Sequence, residues 1–138
     1  MKPEIEEIVN AEIKTKTEGN KVSVIIRLNG GLYEGTAVCH DEDLEFMSEK
    51  VGFNIAHLRA MIKCANAYKR IAIHLYRWEC NKYRKEVRYL ADEKVRAKHY
   101  KDYILYRDFE KELYKQLESY LKAQQKALDS IRRSRLVK

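Results

Sequence analysis

Residues 53–90 read FNIAHLRAMIKCANAYKRIAIHLYRWECNKYRKEVRYL, and they open a run of 86 residues, 53–138, that contains neither Gly nor Pro. All five glycines and the single proline, Pro3, precede it. Gly and Pro cost a helix interior about 1 and 3 kcal/mol relative to Ala, so the run predicts helix. Turns and strands are expected in the first 52 residues. Stepping 100° per residue from Leu58 brings Ile62, Ala65, Ala72, Tyr76, Cys80, Tyr83, Val87 and Leu90 within about 40° of one line. Met61, Tyr68, Ile71, Leu75, Trp78 and Tyr89 form a second apolar group. A helix over about 54–90 is thus apolar around more than half its circumference and must be covered from two sides. A sheet covers its first turns, and a returning helix or a second copy covers the rest.

Beyond Leu90 the seam thins to Ala91, Val95 and Ala97, which places a bend or helix-helix turn at about 91–102, although nothing there forbids a continuous helix. From Tyr103 a new seam runs through Tyr106, Phe109, Leu113, Leu117, Tyr120, Ala127 and Ile131, interrupted by Gln116 and Gln124. Folding back as an antiparallel hairpin buries both seams economically. Coiled-coil-like pairing between copies, giving a homo-oligomer, is the alternative.

Ahead of the helices, Glu4–Glu12 suits either a helical turn behind Pro3 or an edge strand. The alternation Glu12-Ile-Lys-Thr-Lys-Thr17 predicts an exposed strand that ends at Gly19-Asn20, and Lys21–Leu28 predicts a stronger one. Asn29-Gly30 then signals a hairpin, because both central residues of that turn need positive φ. Residues 32–39 return as the partner strand. The expected class is α+β, a small antiparallel sheet packed on a helix and followed by long helices. The division is a head over 1–66 and a helical extension over 67–138, with the helix from 54 shared between them.

The net charge of +7 conceals two opposed halves. Residues 1–52 carry six Lys/Arg against eleven Asp/Glu, and residues 53–138 carry twenty-two against ten. A basic field of that density attracts polyanions, of which nucleic acid is the commonest in cytosol. No stretch is apolar enough to span a membrane, the first residues do not resemble a signal peptide, and a cytoplasmic location is expected. Cys39, Cys64 and Cys80 lack paired spacing and are expected to be thiols.

The basic residues are ordered on the first long helix. Arg59, Lys63, Asn66, Arg70, His74, Arg77, Asn81, Arg84 and Arg88 occupy one stripe that contains no carboxylate, roughly 45 Å long at 1.5 Å per residue. Solvated helix faces usually mix signs at i,i+4 spacing, so a single-sign row repels itself. Three readings follow: a solvated face partly neutralised by the acidic head, a phosphate-binding row, or a seat for an acidic protein. Tyrosines directly followed by Lys or Arg, such as Tyr68-Lys69 and Tyr76-Arg77, offer stacking platforms beside phosphate contacts. Equally, they are core residues whose neighbours point to water. Tyr68 and Trp78 are the stacking candidates.

Two stretches carry a family pattern. Gly35-Thr-Ala-Val-Cys-His-Asp-Glu-Asp43 has the form Gly-x-Ala-x-Cys-His-x-x-Asp, and Gly52-Phe-Asn-Ile-Ala-His-Leu-Arg-Ala60 has the form Gly-x-x-x-Ala-x-x-Arg-Ala. Together they resemble a group of small bacterial and phage proteins with a double-stranded-RNA-binding-domain-like fold, over about residues 20–66. The resemblance implies a curved antiparallel sheet with a helix across one face. It does not carry over the RNA contact, because the lysine-rich helix start of true RNA readers is absent: residues 49–54 offer one lysine.

Chemistry-bearing motifs are otherwise sparse. Cys39, His40, Asp41 and Asp43 supply ligand types without zinc-site spacing, so neither a metal nor another cofactor is expected. No nucleophile motif or phosphate-cradling glycine loop accompanies them, and the protein is expected not to be an enzyme. The leading expectation is non-catalytic, sequence-independent binding of RNA or DNA, with Arg59, Lys63, Arg70, Arg77, Arg84 and Arg88 on phosphates. The alternative is a phage-type inhibitor or adaptor of a nucleic-acid-handling protein, whose Asp41, Glu42, Asp43 and Glu45 imitate phosphates.

Overall fold

A computed structural model describes residues 5–38, 49–81 and 93–137. The elements are α1 (Ile5–Val9), β1 (Glu12–Glu18), β2 (Lys21–Leu28), β3 (Gly31–Val38), α2 (Glu49–Asn81) and α3 (Glu93–Val137). The start of the chain resolves to the helical alternative: α1 buries Ile8 completely and closes with Asn10 N–H donating to the Glu6 carbonyl at 2.9 Å.

The three strands form an antiparallel sheet in the order β1-β2-β3. Both connections are two-residue turns. Asn29 and Gly30 take φ of 48° and 81°, the doubly positive pair of a type I′ turn. Register follows from the turns: Glu18 pairs with Lys21 and Glu12 with Arg27, while Leu28 pairs with Gly31 and Lys21 with Val38. With period two, Val22, Val24 and Ile26 share one face and are buried in the core. The opposite face carries Lys14, Lys16, Ser23, Arg27 and Glu34.

Helix α2 crosses the buried face, and one glycine sets how closely. A Cβ at Gly35 would run into the carbonyl oxygen of Ala56 and the amide nitrogen of Ala60, so β3 rests on the α2 backbone itself. Ala56 and Ala60 are fully buried at this crossing. One turn of the same helix supplies Arg59, whose guanidinium donates to the Thr36 carbonyl at 2.7 Å. Gly35, Ala56, Arg59 and Ala60, four residues of the family-like pattern, therefore form a single packing contact.

Helix α3 returns alongside α2. Tyr76 meets Tyr100 (ring centroids 5.2 Å apart) and Tyr68 meets Tyr106 (5.8 Å). Lys69 bonds Glu110 at 3.0 Å, and Asn54 donates to the Tyr120 hydroxyl at 3.2 Å. Partners on α3 advance as those on α2 retreat, so the two helices are antiparallel within one chain. One hydrophobic cluster joins Val24 and Ile26 of β2 to Tyr68 and Ala72 of α2 and to Tyr106 and Leu113 of α3.

Of the range expected to hold a bend or helix-helix turn, about 91–102, residues 91–92 lie outside the described ones and residues 93–102 belong to α3. There the aliphatic seam is replaced by tyrosines: Tyr100 packs on both Tyr76 and Tyr103. One expectation needs correction, because the second apolar group of α2 is covered only in part. Met61 and Tyr68 are buried, but Ile71 and Trp78 are 46% and 55% exposed. Three strands spaced about 4.8 Å apart are much narrower than a 33-residue helix is long, so the sheet cannot cover the whole of α2. The expected continuation of α2 to residue 90 lies outside the described residues beyond Asn81.

Candidate nucleic-acid interface

A helix places residues seven apart nearly in line, about 10.5 Å from each other. Lys63, Arg70 and Arg77 follow that interval along α2 and all three are exposed, as is His74 between the last two. They make a straight cationic row roughly 21 Å long. No ion pair among the described residues engages Lys63, Arg70 or Arg77. Cations elsewhere behave differently: Lys69 pairs with Glu110 at 3.0 Å, Lys122 with Glu118 at 3.0 Å and Arg107 with Asp108 at 3.2 Å. Helix α3 thus shows the mixed-sign pattern of an ordinary solvated helix, and the row on α2 departs from it.

Several predicted site residues lie elsewhere. Arg59 sits at the head of the stripe in sequence, but its guanidinium is committed to the Thr36 carbonyl and serves the sheet-helix contact. Arg84 and Arg88 lie outside the described residues, as does the acidic patch Asp41, Glu42, Asp43 and Glu45. Tyr68 is corrected from stacking platform to core residue: it is 6% exposed and lies between Tyr33 and Tyr106, at 6.2 and 5.8 Å. Its ring faces are occupied by the junction of sheet, α2 and α3. Trp78, by contrast, presents more than half its surface to solvent.

No known family frames this surface: the chain matches no protein-family model, no curated protein and no solved structure.

Burial pushes the Cys64 thiol and the Tyr33 hydroxyl up to about 12, and the Tyr106 hydroxyl higher still; all three stay protonated at neutral pH. His57 packs on Phe53 at 5.4 Å, and desolvation lowers its pKa. Among the described residues no group of three or more His, Cys, Asp or Glu is placed to hold a metal ion; Cys39, His40, Asp41 and Asp43 lie outside them. A concavity of about 340 Å³ on the outer sheet face is lined by Glu12, Lys14, Ile25, Arg27, Gly30 and Leu32, a mixture of signs with no preference for an anion. No helix of the described residues is long and apolar enough to cross a membrane.

Sequence reasoning missed two participants. Ile71 emerges as an exposed apolar neighbour of the cationic row, which depends on where the sheet ends and has no local signal. Arg59 emerges as a packing residue. The pattern Gly-x-x-x-Ala-x-x-Arg-Ala held that signal, because it set Arg59 beside the two alanines that β3 rests on.

Proposed function

We propose that this protein is a non-catalytic nucleic-acid-binding protein that holds phosphates with Lys63, Arg70 and Arg77 on α2. The observation that carries this reading is the exposed single-sign row, which no carboxylate among the described residues neutralises. Spaced about a Debye length apart, the three cations repel one another little, but their summed field attracts a polyanion. Binding of this kind works by backbone neutralisation with counterion release and is insensitive to sequence. The resemblance to double-stranded-RNA-binding-domain-like proteins adds a compatible fold, with the phosphate contact moved from the start of the helix to its middle.

The test is fluorescence anisotropy of labelled oligonucleotides with the full chain. Replacing Arg70 or Arg77 by Gln is expected to flatten the slope of log K against log salt by roughly 0.7–0.9 each. Arg70→Glu with Arg77→Glu is expected to abolish binding while leaving the circular dichroism unchanged. Survival of affinity in that double variant rejects the row as the site. Neutralising Asp41, Glu42, Asp43 and Glu45 leaves nucleic-acid affinity unchanged or tighter, and a loss of affinity there points instead to the acidic head.

A further inference from the structure

Beyond the sheet, the exposed part of α2 has two unlike flanks. Arg70, His74 and Arg77 form one, and Ile71 and Trp78, 46% and 55% exposed, form the other. Adjacent helical residues such as Arg77 and Trp78 point about 100° apart, which on a helix roughly 10–12 Å across is an arc of about 10 Å. A duplex does not suit this division. A helix seated in a major groove about 12 Å wide has a phosphate row on each side of it; here the second row would face an isoleucine and an indole. A single strand, in contrast, carries its phosphates along one side and the π faces of unpaired bases along the other.

We infer that α2 binds single-stranded nucleic acid in preference to duplex, with Arg70 and Arg77 on the phosphates and a base stacked on Trp78. This rests on the proposed phosphate-binding function. An acidic, apolar protein segment would satisfy the same two flanks in kind but not in extent. Specific protein interfaces bury about 800 Å² per partner, far more than Ile71 and Trp78 offer, whereas one exposed aromatic suffices for one base.

Trp78 is the only tryptophan of the chain, so its fluorescence reports on this surface alone. The full chain is titrated at one salt concentration with a 20-nucleotide oligothymidylate, a 20-base-pair duplex and an amphipathic Glu/Leu peptide. The expected result is quenching of Trp78 by the single strand and affinity for it at least tenfold above that for duplex. Trp78→Ala lowers single-strand affinity about tenfold and leaves duplex affinity unaltered, and Trp78→Phe restores most of the loss. Equal affinities without quenching overturn the single-strand inference while the phosphate reading stands. Failure to bind either nucleic acid overturns both, and quenching by the peptide alone reassigns the surface to a protein partner.

Discussion

Gly35 and Gly30 show how differently one residue type serves this chain. At Gly30 the surroundings are open and φ is +81°, so a methyl group there costs only the left-handed backbone, about 1–2 kcal/mol. At Gly35 a methyl group meets the backbone of Ala56 and Ala60, neither of which moves without displacing α2. Gly35→Ala is therefore expected to cost at least about 3 kcal/mol and Gly30→Ala clearly less, read from the midpoints of urea unfolding. His57 sets an acid limit. Desolvation holds its pKa below the ordinary 6.5, so the unfolded chain binds the extra proton first. Stability is whole above pH 6.5 and is lost as pH falls from there through the lower folded value. His57→Gln should flatten the thermal midpoint against pH in that window; an unchanged profile rejects His57 as its source.

The elements are legible in the sequence to the extent that their signals are local. Asn29-Gly30 announces its turn because that backbone admits few other residues, and 86 residues without Gly or Pro announce helix. Aliphatic residues alone under-read the start of α3, because Tyr76, Tyr100 and Tyr103 take over the packing there. Exposure of Ile71 and Trp78 is illegible for a different reason: it depends on the width of a sheet formed by other residues. The pairing of α2 with α3 is fixed partly by Lys69 and Glu110, whose side chains are only 24% and 14% exposed. Reversing either charge alone places like charges together in a partly desolvated seam, and the double reversal Lys69→Glu, Glu110→Lys restores attraction. Each single variant is expected to lose about 1–2 kcal/mol and the double variant to recover most of it; additive losses in a thermodynamic cycle reject the coupling.

At the scale of the whole molecule, the candidate site is half legible. Charge periodicity marks the stripe, but it cannot separate Arg59, turned to a carbonyl, from Arg70 and Arg77, turned to solvent. That distinction requires knowing where β3 lies. The contact at Arg59 also bears on how the chain behaves in a crowded solution. In a hairpin closed by Leu28 and Gly31, Thr36 falls in a pair whose backbone groups face away from β2, toward the place a further strand would occupy. Arg59 takes that outward carbonyl for itself. The opposite edge, β1, is studded with Lys14 and Lys16 between Glu12 and Glu18. Among the described strands, one edge thus has the Thr36 carbonyl taken from within and the other carries charge, and both features disfavour lateral strand addition.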